Sequence, residues 1–378
     1  MPTIHSEKLL GLEALRFCSA VAVLIWHYQH FAFVAYTPTN FLVTQQPFYS
    51  VFGWFYDYGF YGVQVFWCIS GFIFFWKYGI PIHNNIVGAK QFFILRVSRL
   101  YPLHITTLLF VAGLQLVYFH LNHFYFLNPT NDFFHFLLQL FFGSNWGFER
   151  GLSFNGPIWS ISVEVLVYAV FYGTVRFIGT SPVVNLGILV LCVLAKKIHI
   201  DSPVIECLAF FYSGGLSALA LQHFEKTKYH KFLKTITVGI AVFVPIVVSV
   251  FHIYAPKYVV HFALVAYIPT LLYCVASDLH ASPKVQQAIA TAGSVTYSSY
   301  LIHFPLQLVI ATLFSYLGQP IPFYSSGLFI AYIGITLCSS VAIYRHFEMP
   351  AQAYIRRRLH APQAMRVGWV PPNWVRLR

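Results

Sequence analysis

LRFCSAVAVLIWHYQH, residues 15–30, decides how the chain is to be read. The run is apolar enough to enter a bilayer, yet it carries Arg16 and His27. A charged side chain at the centre of a bilayer costs about 2.5 kcal/mol or more. A helix advances about 100° and 1.5 Å per residue, so eleven steps return His27 to within about 20° of the face of Arg16 and about 16 Å further along. One stripe then presents a guanidinium at one end and an imidazole near the middle. Singly, Arg16 reads as an interfacial anchor and His27 as a core histidine. On one shared face they point to a joint task.

The rest of the composition agrees with a membrane. Of 378 residues, 58% are hydrophobic, 19% aromatic and only 9% charged, against about 25% charged in soluble domains. Apolar runs of about 20 residues cross the hydrocarbon core. The pattern predicts an all-α, polytopic transmembrane helix bundle of about ten spans, at 10–36, 59–78, 98–121, 156–177, 183–200, 205–222, 236–254, 259–277, 293–317 and 325–346. The run after Arg16 is too long for a signal-peptide core and lacks a small-residue cleavage site, so it should stay as the first span. With both termini in the cytoplasm, only Arg150, Lys196, Lys197 and Lys257 of the 23 lysines and arginines fall outside. That positive-inside bias places the protein in a cell membrane, the inner one in a Gram-negative cell. It accounts for the net charge of +12 without nucleic acid, and the basic inner face suits anionic headgroups among the membrane lipids.

Residues 8–350 read as one transmembrane domain and 351–378, with IRRRLH, as a basic cytoplasmic tail. Two outer stretches are large and aromatic. Residues 37–58, TPTNFLVTQQPFYSVFGWFYDY, hold no Lys or Arg, and 122–155 include DFFHFLLQLFFGSNW, apolar but too short to span and so re-entrant or interfacial. They suit a lid or sugar-stacking surface, and equally an aromatic belt at the headgroups. The six cysteines are scattered without paired spacing and read as small buried hydrophobes. His27/His30 and His120/His123 are spaced i, i+3, but no third ligand accompanies either pair, so no metal site is expected.

Ionisable groups inside spans are where chemistry is expected. Counted from the span ends, Glu164 in GPIWSISVEV lies about 12 Å deep, His27 about 14 Å deep, and His303 in YSSYLIHFP about mid-membrane. Three spans thus bring an acid and two imidazoles to one level. At the inner face, RVSRLYP puts Arg96 and Arg99 on one helix side, with Arg16 at the start of the first span. Planar guanidinium forks suit phosphate oxygens, although the same arginines also read as topology anchors. Phosphates bound inside with a reactive centre mid-membrane suit a long donor with an anionic head, the shape of a coenzyme A thioester.

The motifs LRFCSAVAVLIWH, GVQVFWCISGFIF, RVSRLYP, IWSISVEV, SYLIHFP and HFEMP occur in one order over residues 8–350. In this the chain resembles the acyltransferase 3 family of integral-membrane O-acyltransferases. The resemblance implies about ten spans, a cytoplasmic acyl-CoA co-substrate with no tightly bound cofactor, and transfer of an acyl (acetyl) group to a hydroxyl-bearing, carbohydrate or lipid-linked acceptor. It places functional weight on Arg16, His27, Arg96, Arg99 and Glu164. Some relatives carry an added extracytoplasmic hydrolase domain; the thirty residues after Glu348 leave no room for one, which suggests direct transfer.

The mechanism to expect makes His27 the general base, with Glu164 orienting it and Arg16 serving the donor. Trp159, Ser160, Tyr297, Tyr300 and His303 would line the substrate pocket or donate to the oxyanion, and Ser160 is also a candidate nucleophile. Ser70-Gly71 reads as close helix packing. The rival reading is a proton-coupled secondary transporter, since intramembrane His and Glu also build proton relays. That reading leaves the Arg16–His27 spacing unexplained. A sensor or scaffold would keep costly buried polar groups without using them.

Overall fold

Each span forms because an apolar segment in lipid has to satisfy its backbone hydrogen bonds internally. The computed structural model describes residues 9–250, 257–276 and 281–359, so residues 360–378 of the expected tail lie outside it. Fourteen α-helices are seen among the described residues. They are α1 (Leu10–Tyr28), α2 (Tyr49–Tyr58), α3 (Gly62–His83), α4 (Ala89–Asn122), α5 (Phe133–Leu140), α6 (Ile158–Phe177), α7 (Pro182–Lys197), α8 (Pro203–Phe224), α9 (His230–Val250), α10 (Lys257–Val275), α11 (Pro283–Ser294), α12 (Thr296–Tyr316), α13 (Ser326–Ile343) and α14 (Met349–Leu359). The described strands are one short antiparallel pair, β1 (Phe33–Val34) and β2 (Thr37–Pro38).

Every expected span coincides with a helix, and eight helical stretches are long and apolar enough to cross a membrane. Two expected spans fall short of that: α7 has 16 residues, about 24 Å of helix, and the apolar part of α10 is Val259–Val275. Several boundaries move. The first span, expected to reach residue 36, leaves the α conformation at Tyr28 and ends in a 3₁₀ turn at Ala32. The carbonyl of Ala32 accepts from both the backbone N–H and the hydroxyl of Thr39, which turns the chain back through the β1–β2 hairpin. The expected aromatic loop 37–58 holds α2, which runs through a 3₁₀ turn into α3. Helix α13 passes through a π-helical turn, Tyr344–Glu348, into α14.

The tightest crossing is between α3 and α8. A Cβ on Gly71 would overlap the backbone carbonyl oxygen of Phe211, and one on Gly214 that of Cys68. Backbones meet here because neither residue has a side chain, and Phe72, Phe75, Phe210, Phe211 and Tyr212 fill the space on either side. The packing expected of Ser70-Gly71 thus belongs to Gly71.

The segment expected to be re-entrant folds as the eight-residue α5, held by polar side chains. Asp132 caps it by accepting the N–H of His135. His104 of α4 donates Nε2–H to the carbonyl of Gln139, and the Gln139 amide donates to the carbonyl of Ser153. Asn155 donates to Thr107 Oγ1 and the Leu301 carbonyl, joining the segment to α4 and α12.

Adding bulk at the α3–α8 crossing should be costly. Gly71→Val and Gly214→Val should each destabilise by about 1–3 kcal/mol or prevent folding, read as a lowered thermal midpoint in lipid nanodiscs. Gly113→Val, where a Cβ meets no atom within 4 Å, should shift the midpoint far less.

Candidate active site

Helices α1, α3, α4, α6 and α12 surround a cavity of about 110 Å³. Its polar wall consists of Arg16, Ser70, Arg96, Arg99, Ser160, Glu164, Tyr168, Thr296, Tyr297 and Tyr300, and its apolar wall runs along α3 from Val63 to Phe74. Seven of the ten residues singled out from sequence meet here. His27, Trp159 and His303 do not line it.

Three guanidinium groups inside a bundle need compensation. Arg16 lies 3.4 Å from Glu13. Arg99 faces Glu348, Tyr168 and Glu13. Arg96 is held differently: it donates to the Tyr78 hydroxyl at 2.6 Å, and its guanidinium lies 4.9 Å from the ring centres of both Phe74 and Tyr78. Its Nε is buried with no partner. Among the described residues no carboxylate stands within ion-pair distance of Arg96 or Arg99. The carboxyl of Glu164 accepts from the Tyr168 hydroxyl at 2.8 Å, and Ser70 lines the same cavity.

The far end of the cavity is closed by hydroxyls. Tyr300 and Ser160 hydrogen-bond at 2.7 Å, the Tyr300 hydroxyl also reaches the Pro157 carbonyl, and Trp67 donates its indole N–H to the carbonyl of Ser160. Tyr297 donates to the Leu100 carbonyl. Trp159 packs edge-on against Trp67, outside the lining.

One turn beyond Tyr300 the imidazoles gather. The rings of His27 and His303 are 4.6 Å apart between centres, and His30 lies 4.9 Å from His27. His27 Nδ1 is 2.8 Å from the carbonyl of Val23, and His303 Nδ1 is 2.6 Å from that of Tyr300. A carbonyl only accepts, so in both rings the proton sits on Nδ1 and Nε2 keeps its lone pair. His303 Nε2 is buried without a partner, as is His30 Nδ1. With its proton on Nδ1, His303 presents Nε2 as a buried acceptor that an O–H would satisfy.

These contacts rearrange the expected constellation. His27 and His303 do meet across α1 and α12, but no hydrogen bond joins Glu164 to His27; the group that orients His27 is a backbone carbonyl of its own helix. The physical reason is helix length. Helix α1 leaves the α conformation at Tyr28 rather than running to 36, so His27 is nearer the C-terminal end of its helix than counting suggested, while Glu164 lies one turn along α6 from Ser160. His303, with its proton on Nδ1, offers an acceptor rather than an oxyanion donor. Sequence reasoning missed Ser70, Tyr168, Glu348 and Tyr78. Tyr168 carries an available signal, a hydroxyl one helical turn from Glu164. Glu348, buried and accepting from Ser298 at 2.6 Å, stood inside HFEMP without an assigned role.

Comparison with known proteins fits this architecture. Residues 9–345 match the acyltransferase 3 family, described as an acyltransferase domain, and the chain belongs to that family. A protein of Haemophilus influenzae described as uncharacterized is 30% identical over 113 residues, 29% of this chain. The match spans about half, 46%, of that relative's length. No solved structure matches.

The Glu164 contacts give a test. Glu164→Ala leaves the buried hydroxyl of Tyr168 without its acceptor and should destabilise by about 1–3 kcal/mol. Glu164→Gln keeps an acceptor oxygen and should lose less. Thermal midpoints of both variants in nanodiscs check the order.

Proposed function

We propose that the chain is a membrane O-acyltransferase that moves an acyl group, acetyl by preference, from cytoplasmic acyl-CoA to a hydroxyl of a glycan or lipid-linked sugar. The observation that carries the reading is the cavity: cationic at the Arg96–Arg99 end, headed by Ser160 and Tyr300, and one turn from a pair of imidazoles with free Nε2 lone pairs. In this reading the arginines take the phosphates of the donor and the cavity takes its pantetheine arm. The thioester then arrives near Ser160 and Tyr300.

His27 Nε2 removes the proton from the acceptor hydroxyl as its oxygen attacks the thioester carbonyl. The tetrahedral oxyanion collapses, the C–S bond breaks, and the thiolate leaves with the proton returned from the imidazolium. The Val23 carbonyl supports that imidazolium by holding its Nδ1–H. Ser160 has Tyr300 and Pro157 as its hydrogen-bond partners rather than a histidine, so it serves as a positioning group and not as a nucleophile. Glu164 balances Arg16 and Arg99 instead of orienting the base. Acyl-CoA, the acceptor and lipid are the partners in this reading, with the basic end of the bundle in the cytoplasm of a cell-membrane protein.

Three outcomes follow for purified variants in nanodiscs. His27→Gln cannot take a proton and should lower kcat about 100-fold or more, with the donor KM near the parent value. The parent should lose activity on the acid side, because a protonated Nε2 has no lone pair to offer, and that limb should vanish from any residual His27→Gln activity. Arg99→Ala should instead raise the acyl-CoA KM by the equivalent of about 1.5–3 kcal/mol, with Lys restoring only part. Near-native turnover of His27→Gln would overturn the base assignment and move it to His303. For orientation, cysteines at the exposed positions Lys90 and Lys228 should be labelled from the opposite side to Gln45 and Arg150; labelling of Lys90 from outside would invert the donor argument.

A further inference from the structure

The cationic wall of the cavity does not end with α4. Helix α14 lies against α4, and of its three consecutive arginines only Arg356 turns inward; Arg357 and Arg358 are exposed. Arg356 Nε donates to the hydroxyl of Ser98 at 3.2 Å, and Ser98 is fully buried on α4, two residues from Arg96. The charged and phenolic groups that bear on Arg356 are Arg96, Tyr78, Arg99 and Tyr344, and no carboxylate is among them. Tyr78 in turn lies in the field of Arg96, Lys77, Arg356 and Arg99. Among the described residues no carboxylate comes within ion-pair distance of Arg96, Arg356 or Lys77.

A fold does not gather like charges half out of water without return, because each raises the cost of the others. Arg96 keeps a buried Nε–H with no partner, and Ser98 holds Arg356 by its Nε, which leaves the two terminal nitrogens of the fork for a ligand. We propose that Arg356 and Arg96, which both bear on Tyr78, form a cradle for phosphate ester oxygens beside the cavity that Arg96 lines. The helix after the last span then completes the donor site, an assignment that rests on the coenzyme A reading above. The same oxygens are offered by anionic lipid headgroups, and the experiment separates the two sources.

Full-length protein is placed in zwitterionic nanodiscs and titrated with coenzyme A and with its 3′-dephospho form. Arg356→Ala should weaken coenzyme A binding about ten-fold or more, as expected for loss of a charge-assisted contact, and should raise the acyl-CoA KM to match. Arg357→Ala and Arg358→Ala should bind like the parent. Ser98→Ala, which keeps the guanidinium but not the group that aims it, should lose less. A smaller ratio between the two ligands in Arg356→Ala than in the parent places the 3′-phosphate in the cradle. If coenzyme A binding is intact but native mass spectrometry shows that Arg356→Ala no longer retains phosphatidylglycerol, the cradle stands and its phosphate is lipid. If neither changes in a folded Arg356→Ala or Arg356→Gln protein, the cradle is wrong. Failure of Arg99→Ala to affect donor binding would instead overturn the coenzyme A reading.

Discussion

Charge that is kept out of water must be answered by something, and the form of that answer organises this bundle. Arg16 is matched by Glu13, Arg99 by the field of Glu348 and Glu13, and Arg96 by aromatic faces and a phenol. Arg16 is answered within α1 itself, whereas the answers to Arg96 and Arg99 come from α3, α1 and the α13–α14 turn, so these elements have to assemble around α4 before its two arginines are tolerable. The close glycine crossing of α3 and α8 fixes where Ser70 and Phe74 stand, and the polar clamp of Gln139 and Asn155 ties the α5 segment to the helix that carries Tyr300 and His303.

The division of labour along the axis follows from that arrangement. Guanidinium groups collect at one end, neutral hydroxyls occupy the head of the cavity, and imidazoles with fixed tautomers lie beyond it. A backbone carbonyl fixes the tautomer of each of these imidazoles, since it sets the proton on Nδ1 without adding a second charge. Glu164 is thereby free to serve the arginines.

Much of the fold was legible because lipid imposes a simple rule: an apolar run of sufficient length becomes a helix. All ten expected spans are helical, and seven of ten expected site residues line one cavity. The meeting of His27 and His303 was legible from depth alone. What escaped was set by contacts between distant residues. The end of α1 depends on Thr39 capturing the Ala32 carbonyl. The short α5 depends on Gln139 and Asn155, which look like ordinary loop polars in sequence. Ser70 was overlooked beside Gly71 because a serine next to a packing glycine gives no hint of which cavity it faces.

The π-turn at Tyr344–Glu348 explains why Arg356 was hidden, and it has a further consequence. Counted at about 100° per residue, Arg356 lies sixteen residues and about 160° from the buried Ser340, on the outward face. A π-turn absorbs about one extra residue, which brings the two to within about 60° and turns Arg356 toward Ser98. The α13–α14 helix is therefore spliced: two regular stretches joined across one surplus position. A one-residue deletion within 344–348 would convert the splice to plain helix and leave both flanking faces in place. The same deletion elsewhere in 326–359 would put one flank out of phase with its neighbours. Length variation in this helix should be confined to the splice.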